Sequence, residues 1–446
     1  MVTDATAAGG AAGGAGSGTG GRGANTGGQG VGRPEVLTTA DGTPLKASLA
    51  RAERRAKLRA VALVAPLFLF LVFSFVIPIF DMATRSVNNP EVSAQLPRTV
   101  EALQGWDGES VPGEEVFAAL AADMKAGRES REIGAVATRL NYEMSGMRSN
   151  IMGTARRVDR IEEGPWKEAI LDIEEEWADP AVWKLIQRLS APVTASYYLA
   201  AVDLRIDADG EVVSQPDYQQ IYKTLFLRTI WMSVVITALT LLLGYPIAYL
   251  MATLPMRYSN LLMILVLLPF WTSLLVRTTS WIVLLQTQGV INDILFWFGI
   301  VGDEGRLQMI YNQTGTIIAM THILLPFMVL PLYSVMKTIP PSYLRAARSL
   351  GANPLTAYWR VYVPQTVPGI GAGGVLVFIL AIGYYITPAL VGGQSGQMIS
   401  NMIAYHMQQS LNWGLAAALG TILLAAVLAL YWLYNRLVGV DNMKLG

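Results

Sequence analysis

The sequence predicts an all-α membrane protein with six transmembrane helices and a large, mainly helical domain inserted between the first two. Hydrophobic residues make up 52% of the 446 residues, charged residues only 15%, and the mean hydropathy is +0.39. This composition is too apolar for an ordinary soluble domain. Six apolar runs approach or exceed the length of about 20 residues that crosses the hydrocarbon core. The chain has no cysteine and no net charge, which excludes a disulfide framework and a thiolate metal site.

The apolar runs divide the chain into four parts. We predict a disordered, Gly-rich and basic segment (1–60), a first span (61–85), an acidic domain (86–224) and a core (225–446) with a polar loop at 337–368. The first span is expected to remain as an anchor, because some 60 residues precede it and no small-residue cleavage site follows it. The six predicted spans are Val61–Phe80, Leu227–Ala252, Leu261–Leu285, Gly315–Val335, Gly369–Leu390 and Leu415–Leu433.

Cations near the span ends predict the orientation in the membrane. Five of them crowd the entry to the first span, which places the N-terminus in the cytoplasm by the positive-inside rule. Six spans then return the C-terminus to the cytoplasm and place the acidic domain outside. The cations on or beside the predicted cytoplasmic side are Arg51, Arg54, Arg55, Lys57, Arg59, Arg257, Lys337, Arg345, Arg348, Arg360, Arg436 and Lys444.

The domain between the first two spans is acidic and predicted to be mostly helical. Residues 86–223 carry 24 Asp and Glu against 14 Lys and Arg. This acidity fits either a surface that attracts cations or an ordinary solvated surface. A small hairpin is predicted around Asp207–Gly210. Helices are predicted at 114–125, 129–144, 166–177 and 180–189.

Several motifs that suggest enzyme chemistry do not fit their surroundings. Gly369–Gly374 matches a dinucleotide pattern but opens an apolar span, where close helix packing explains glycines better. None of the eight lysines follows a glycine, so a phosphate-binding P-loop is excluded. His322 and His406 are isolated from each other and from carboxylates, so each is predicted to be a helix-packing or pore-lining group. We therefore expect no catalytic residue and no metal site.

Arg277 lies within the third apolar run. An intramembrane charge is costly, so it is a candidate functional residue, with snorkelling to the interface as an equal alternative. Trp271, Trp281, Tyr384 and Tyr385 are candidates for cation–π contacts, or else anchors at the membrane interface.

A polar segment from Tyr343 to Pro364 separates two apolar runs. Pro340 and Pro341 stop the preceding helix, Ser342 is predicted to cap a new one, and Gly351 occupies its left-handed C-terminal position. Asn353 and Pro354 then begin a second short helix, predicted at 355–362 and ended before Pro364. A helix, a glycine turn and a helix are suited to docking another protein at the membrane surface.

This segment resembles the cytoplasmic coupling loop of ABC importer permeases. The family pattern is EAA, three residues, Gly, nine residues, then Ile, any residue, Leu and Pro. Val361 and Val363 replace the Ile and Leu, and Arg345 stands where the family has Glu. The residues that the resemblance assigns to ATPase coupling are Arg345, Ala346, Ala347, Gly351, Ala352 and Pro364.

Further phrases resemble the spermidine/putrescine branch of these permeases over roughly 225–446. They are Gly244–Tyr249, Pro269–Ser273, Gly383–Gly393 and Asn412–Gly414. The domain after the first span is not typical of that branch and is more similar to the insertion of maltose-type permeases.

The resemblance implies a type I, binding-protein-dependent importer in the bacterial inner membrane. Its partners would be the bilayer, a second and usually different permease, two ATPases that use ATP, and an extracytoplasmic binding protein. The chain itself would bind neither a cofactor nor nucleic acid. Polyamines are the implied cargo, with an opine, thiamine or ferric iron as alternatives, and a secondary transporter or a membrane sensor remains a different class. The implied translocation pathway takes in Trp271, Arg277, Trp281, Tyr384 and Tyr385.

Overall fold

The computed structural model describes residues 45–208 and 210–438 and divides into two units, Met1–Phe75 and Val76–Gly446. Helix α1, Leu45–Leu71, belongs to the first unit and leads into a π-helical turn, Val72–Val76. Residues 45–60, placed above in a disordered segment, are therefore helical. Their Ala, Leu, Lys and Arg residues are strong helix formers, which explains the difference. Residues 1–44 of that segment lie outside the described residues.

The second unit begins with α2 (Ile77–Arg85) and the inserted domain. The insertion contains short helices and one antiparallel hairpin. Its elements are α3 (Glu91–Gln95), α4 (Pro97–Ala102), α5 (Glu114–Glu129), α6 (Ile133–Glu143), α7 (Met147–Val158), α8 (Trp166–Ile173), α9 (Pro180–Leu189), α10 (Ser196–Ala201), β1 (Leu204–Ile206) and β2 (Val212–Ser214). The predicted helical insertion and its hairpin are confirmed, whereas α3, α4, α7 and α10 were not predicted.

Aromatic residues form the centre of the insertion. The Phe117 and Trp183 rings lie 4.8 Å apart between centroids, and those of Trp177 and Trp183 lie 5.1 Å apart. Both indole N–H groups are satisfied inside, by the Thr154 hydroxyl and by the Trp177 carbonyl oxygen. A buried indole with its donor paired adds apolar area without an unpaired polar group, so this cluster supports the whole insertion.

The membrane core follows the insertion and is entirely helical in the part that the structure describes. Short 3-10 turns, Leu268–Trp271 and Asp303–Gly305, and one π-helical turn, Tyr358–Tyr362, interrupt it. Its α-helices are α11 (Tyr222–Thr253), α12 (Met256–Leu267), α13 (Leu274–Leu285), α14 (Val290–Trp297), α15 (Gln313–Thr338), α16 (Pro341–Ser349), α17 (Pro354–Ala357), α18 (Val363–Gly383), α19 (Ile386–Val391), α20 (Ile399–Gln408) and α21 (Trp413–Val438).

Five helices of the described residues are long and apolar enough to cross a membrane, or six if one bent pair counts as a span. That pair, Met256–Trp271 and Leu274–Trp297, is bent by 99°, so the predicted continuous third span is wrong. Pro269 cannot continue a helical ladder, and the Ser273 hydroxyl accepts a hydrogen bond from the Val276 N–H at 3.2 Å to begin the next helix.

The fifth span also differs from its predicted bounds of Gly369–Leu390. Its helix begins at Pro354, passes through the π-helical turn and ends at Gly383. The predicted stop before Pro364 is therefore wrong. The helix is interrupted at Tyr384, where the backbone becomes extended before α19 starts.

Glycines bring the long helices of the core close together. A Cβ added at Gly369 would lie 3.1 Å from the Val335 Cβ and 3.2 Å from the Leu332 Cα. One added at Gly373 would lie 3.1 Å from the Met328 carbonyl oxygen. The predicted close packing of this glycine stripe, here of α18 on α15, is confirmed.

Among the described residues, several contacts fasten the insertion to the core, and one of them is a hydrogen bond of 3.2 Å from the Tyr142 hydroxyl to the Ser410 carbonyl oxygen. The buried Asp203 carboxylate of the insertion accepts hydrogen bonds from the N–H groups of Ile221, Tyr222 and Lys223 at 2.8–3.0 Å, which caps the start of α11. The Tyr197 ring lies directly against Gly414 at the start of α21. These contacts position the insertion at one end of the core.

Candidate functional site

The coupling candidates form a helical hairpin, here called the 343–364 loop. Helix α16 starts at Pro341, and Pro340 rather than the predicted Ser342 occupies the N-cap position. Gly351 has φ +91°, in the left-handed region that glycine enters without strain. Its N–H donates to the Arg348 carbonyl at 3.0 Å. The predicted glycine turn is confirmed in its geometry.

The second half of the loop starts at Asn353. The Asn353 side-chain oxygen accepts the Thr356 N–H at 2.7 Å, and Pro354 is the first helical residue. Both features agree with the prediction. Local hydrogen bonding therefore sets the angle between the two short helices, since the turn and the cap lie next to each other in the chain.

Although the loop is polar, it exposes apolar side chains. Leu350 is 89% exposed and Leu355 is 72% exposed. Arg345 and Arg348 are also exposed, on the first helix of the hairpin. An apolar surface flanked by cations has the composition of a docking surface for another protein.

Trp281 and His322 are in direct contact inside the core, and Arg277 lies near His322 and Tyr384. The Trp281 indole N–H donates to the His322 Nδ1 at 3.2 Å, and the two rings lie 5.3 Å apart. Arg277 is close enough to act electrostatically on His322 and on Tyr384. Its Nε is buried and has no hydrogen-bond partner among the described residues.

The other two pathway candidates are placed differently. Trp271 is 74% exposed, beside the bend between the two short helices. Tyr385 is also exposed, and its carbonyl oxygen accepts a hydrogen bond from the Asn401 side chain at 2.8 Å. The neighbouring Tyr384 carbonyl oxygen accepts from the Ser400 hydroxyl at 2.7 Å. Helix α20 thus satisfies the backbone carbonyl groups between α18 and α19 and stabilises this non-helical segment.

Three polar residues of this region were not among the predicted site residues. His322 was predicted only as a helix-packing or pore-lining group, and Ser400 and Asn401 gave no signal. A histidine in an otherwise apolar span is a usable signal, because a buried imidazole needs a partner. Ser400 and Asn401 act on backbone carbonyl groups 16 residues away, which no local pattern indicates.

A cavity of about 680 Å³ lies between the insertion and the adjoining end of the core. Two charged side chains that line this cavity, Glu143 and Arg188, are already paired with each other. Glu143 accepts hydrogen bonds from Arg139 at 3.0 Å and from Arg188 at 3.5 Å, and Arg188 also donates to the carbonyl oxygens of Ile206 and Asp207. These ion pairs and hydrogen bonds join α6, α9 and the hairpin within the insertion, on the side that lines the cavity.

The fold and these features define a multi-span α-helical membrane protein with an exposed helical loop and a polar cluster within its bundle. Residues 244–439 match the family model described as "Binding-protein-dependent transport system inner membrane component". The chain belongs to this family and is a permease subunit of an ABC importer.

The chain is also similar to curated relatives and to one solved structure. The spermidine/putrescine transport system permease protein PotB of Escherichia coli is 35% identical over 221 residues, which cover 49% of this chain and 80% of that protein. PotB of Haemophilus influenzae is 36% identical over 229 residues, 50% of this chain and 79% of that protein. A bacterial ABC transporter involved in the import of the acidic polysaccharide alginate covers 49% of this chain at 20% identity with a TM-score of 0.40.

Proposed function

We propose that this chain forms half of the translocation pathway of an ATP-driven importer whose cargo is a polyamine such as spermidine or putrescine. The observation that carries the proposal is the identity of 35% to a spermidine/putrescine permease, across 80% of that relative's length. The exposed leucines of the 343–364 loop, Leu350 and Leu355, support coupling to a separate ATPase. The chain itself then needs neither an ATPase site nor a cofactor, because the partner subunits use ATP.

The assembly comprises two ATPases, a second and different permease, and an extracytoplasmic binding protein. Both termini and the 343–364 loop lie in the cytoplasm of a bacterium, and the insertion lies outside the inner membrane. ATP binding closes the ATPase pair, the loop transmits the movement, and the paired permeases change from inward-open to outward-open. The cation-rich loop and span ends support this orientation.

The cluster of Arg277, Trp281, His322 and Tyr384 lines the pathway in this proposal. The aromatic faces of Trp281 and Tyr384 provide cation–π contacts to ammonium groups, which gain strength where water is excluded. Arg277 repels a polycation at the same place. Attraction by the aromatic rings and repulsion by Arg277 together limit the affinity for the cargo. The cargo can then be released, as conduction requires.

One observation favours a second cargo class, an opine. The buried Nε of Arg277 has no partner among the described residues, and a guanidinium pairs well with a carboxylate. A cargo that carries both an amine and a carboxylate therefore fits the cluster as a whole. This alternative changes the cargo and leaves the importer mechanism as it is.

Energy-dependent uptake of labelled spermidine and putrescine tests the proposal. Cells with and without this chain would be compared, with the partner subunits and the binding protein present and with unlabelled opines and thiamine as competitors. We expect uptake that requires the chain and that only polyamines inhibit. Polyamine uptake that does not depend on the chain would contradict the polyamine cargo, and chain-dependent uptake of a labelled opine would then favour the second cargo.

A loop variant tests the coupling role separately. Gly351→Pro is incompatible with φ +91°, because proline fixes φ near −65°. We expect an inserted protein that no longer binds the ATPase or imports cargo. Gly113→Ala is the matched control, since its φ is −74° and the space around it is open. Normal uptake by the Gly351→Pro variant would contradict the loop assignment.

A further inference from the structure

Four tyrosines from two distant parts of the chain meet beside the 343–364 loop. Tyr245 and Tyr249 lie on α11, and Tyr358 and Tyr362 lie on the π-helical turn between α17 and α18. The Tyr249 ring meets the rings of Tyr358 and Tyr362 edge-on, with centroid distances of 5.4 and 5.3 Å and an interplanar angle of 84° in each case. We call these four residues the tyrosine cluster.

The π-helical turn explains how two of these rings come to face Tyr249. Pro364 has no N–H to donate to the Arg360 carbonyl, and in a regular helix its ring would clash with that carbonyl. A wider turn relieves the clash, and turns of this kind are associated with functional sites. Tyr358 and Tyr362 stack within the turn, 5.6 Å apart at an angle of 16°. The two stacked rings are therefore both nearly perpendicular to the Tyr249 ring.

Hydrogen bonds strengthen the cluster on one side only. The Tyr245 hydroxyl lies 3.1 Å from the Thr366 hydroxyl on α18 and also bonds the Tyr358 side chain. The Tyr362 hydroxyl, by contrast, is buried and has no hydrogen-bond partner among the described residues. A buried unpaired hydroxyl is costly, so its presence is explained if it gains a partner in a second conformation.

The tyrosine cluster also links the loop to a long helix other than the two that the loop connects. Along the chain the 343–364 loop connects α15 to α18, whereas α11 precedes α15. Tyr249 and Tyr362 are separated by more than 100 residues yet pack directly, so the tyrosine cluster joins the end of the loop to a third long helix. Leu344 of α16 packs against the same apolar core. The loop is thereby connected to α11 by side chains alone.

We propose that the tyrosine cluster transmits the displacement of the 343–364 loop to α11, with the π-helical turn as the bending point. Tyr249 and Tyr362 are positioning residues in this scheme, because they act on the pathway through helix α11 and contact no cargo. The inference rests on the importer function proposed above. A cluster that served packing alone would stabilise the fold without affecting the yield of transport per ATP hydrolysed.

The test uses the complete transporter, with its ATPases, partner permease and binding protein, in lipid nanodiscs and proteoliposomes. Hydrogen exchange would be measured over residues 343–353 and 245–254, without nucleotide and after trapping with ATP and vanadate. Uptake of labelled spermidine and ATP hydrolysis would be measured on the same preparations. In the unmodified transporter we expect trapping to change exchange in both segments.

Tyr249→Leu removes both edge-to-face pairs, so we expect spermidine imported per ATP hydrolysed to fall about tenfold. The response of residues 343–353 to trapping should persist, and that of 245–254 should disappear. Tyr249→Phe keeps both ring pairs and should restore coupling to within about twofold of the unmodified chain. Tyr431→Leu, at an exposed position of α21, is the matched control and should change neither measurement.

Tyr362→Phe tests the unpaired hydroxyl. We expect the thermal midpoint of the nucleotide-free transporter to stay the same or rise, because no hydrogen bond is lost, while uptake per ATP falls. Unchanged uptake would contradict a second partner for this hydroxyl. A Tyr249→Leu variant with unmodified coupling and an intact response at 245–254 would overturn the proposal. No response of 343–353 in the unmodified transporter would instead remove the proposed coupling function on which it rests.

Discussion

The inserted domain and the membrane core are packed for two different solvents. In the insertion the large rings of Phe117, Trp177 and Trp183 are fully buried. In the core, large apolar side chains such as Trp231 and Leu242 are exposed on the helix surfaces, and glycines and threonines lie where helices meet. Removal of apolar area from water stabilises the first region. Close backbone packing and hydrogen bonds stabilise the second, because lipid is as apolar as the side chains.

Removing the central ring of the insertion is expected to have the largest effect on this comparison. Trp183→Ala deletes a fully buried indole that contacts two other rings, and such changes cost about 3–5 kcal/mol. We expect limited proteolysis to cut the insertion while the core stays inserted in the membrane. Tyr218→Ala, at an exposed position of the same domain, is the control. Equal protease resistance of both variants would show that the aromatic cluster is not the centre of stability.

Adding a methyl group at a helix contact should destabilise the core, just as removing a ring should destabilise the insertion. Gly373→Ala places a Cβ 2.8 Å from the Met328 sulfur and 3.1 Å from its carbonyl oxygen, so we expect a loss of about 1–3 kcal/mol from overpacking. Gly374→Ala is a matched control in the same helix, with its nearest neighbour at 3.9 Å. Thermal midpoints in detergent should fall for the first variant only. A fall of the same size for both would contradict the packing explanation, because Gly374 has room for a methyl group and alanine is the better helix former.

Local signals in the sequence predicted the local structure of both regions. Gly351 and Asn353 specified the turn and the cap of the 343–364 loop, because each acts on backbone groups within a few residues. Pro364 carried a signal with two outcomes: it marks a helix end in most contexts, and here a π-helical turn lets the helix continue.

The candidate site was less predictable, because its contacts are distant in sequence. Arg277 and Trp281 stood out as a charge and an aromatic residue in one apolar run. Their meeting with His322 depends on the bend at Ser273, which redirects α13, and hydropathy alone treats that bend as one continuous span. The packing of Tyr249 against Tyr362 likewise depends on how α11 lies against α18. The family resemblance supplied the functional class, whereas the insertion had to be interpreted from composition alone.

Acid pH should weaken the membrane core close to where the insertion joins it. His406 bonds the Tyr222 hydroxyl and the Ser410 hydroxyl, both at 2.8 Å, and the Tyr405 ring packs beside it. Burial lowers the pKa of His406 to about 4. The unfolded chain binds a proton near pH 6.5 and the folded chain does not, so stability is complete above pH 6.5 and decreases between pH 6.5 and 4. We expect a loss of about 2 kcal/mol.

The thermal midpoint measured from pH 7.5 to 4 would report this loss. His406→Gln keeps one donor and one acceptor in the side chain and removes the titration, so its midpoint should depend less on pH over the same range. An equal pH dependence in both proteins would assign the effect to other groups.

The smallest expected effect concerns the cap that joins the insertion to α11. Asp203→Ala removes three hydrogen bonds to backbone N–H groups and places alanine at φ +56°, which we expect to cost about 1–2 kcal/mol. Asp203→Asn keeps an acceptor oxygen and tolerates the left-handed backbone, so it should retain most of the stability. Hydrogen exchange at residues 221–225 would measure the difference, with exposed Asp217→Ala as the control. If Asp203→Ala leaves that exchange unchanged, then the packing of Tyr197 on Gly414 is sufficient to hold the two regions together, and the insertion depends on apolar contact even where it meets the membrane core.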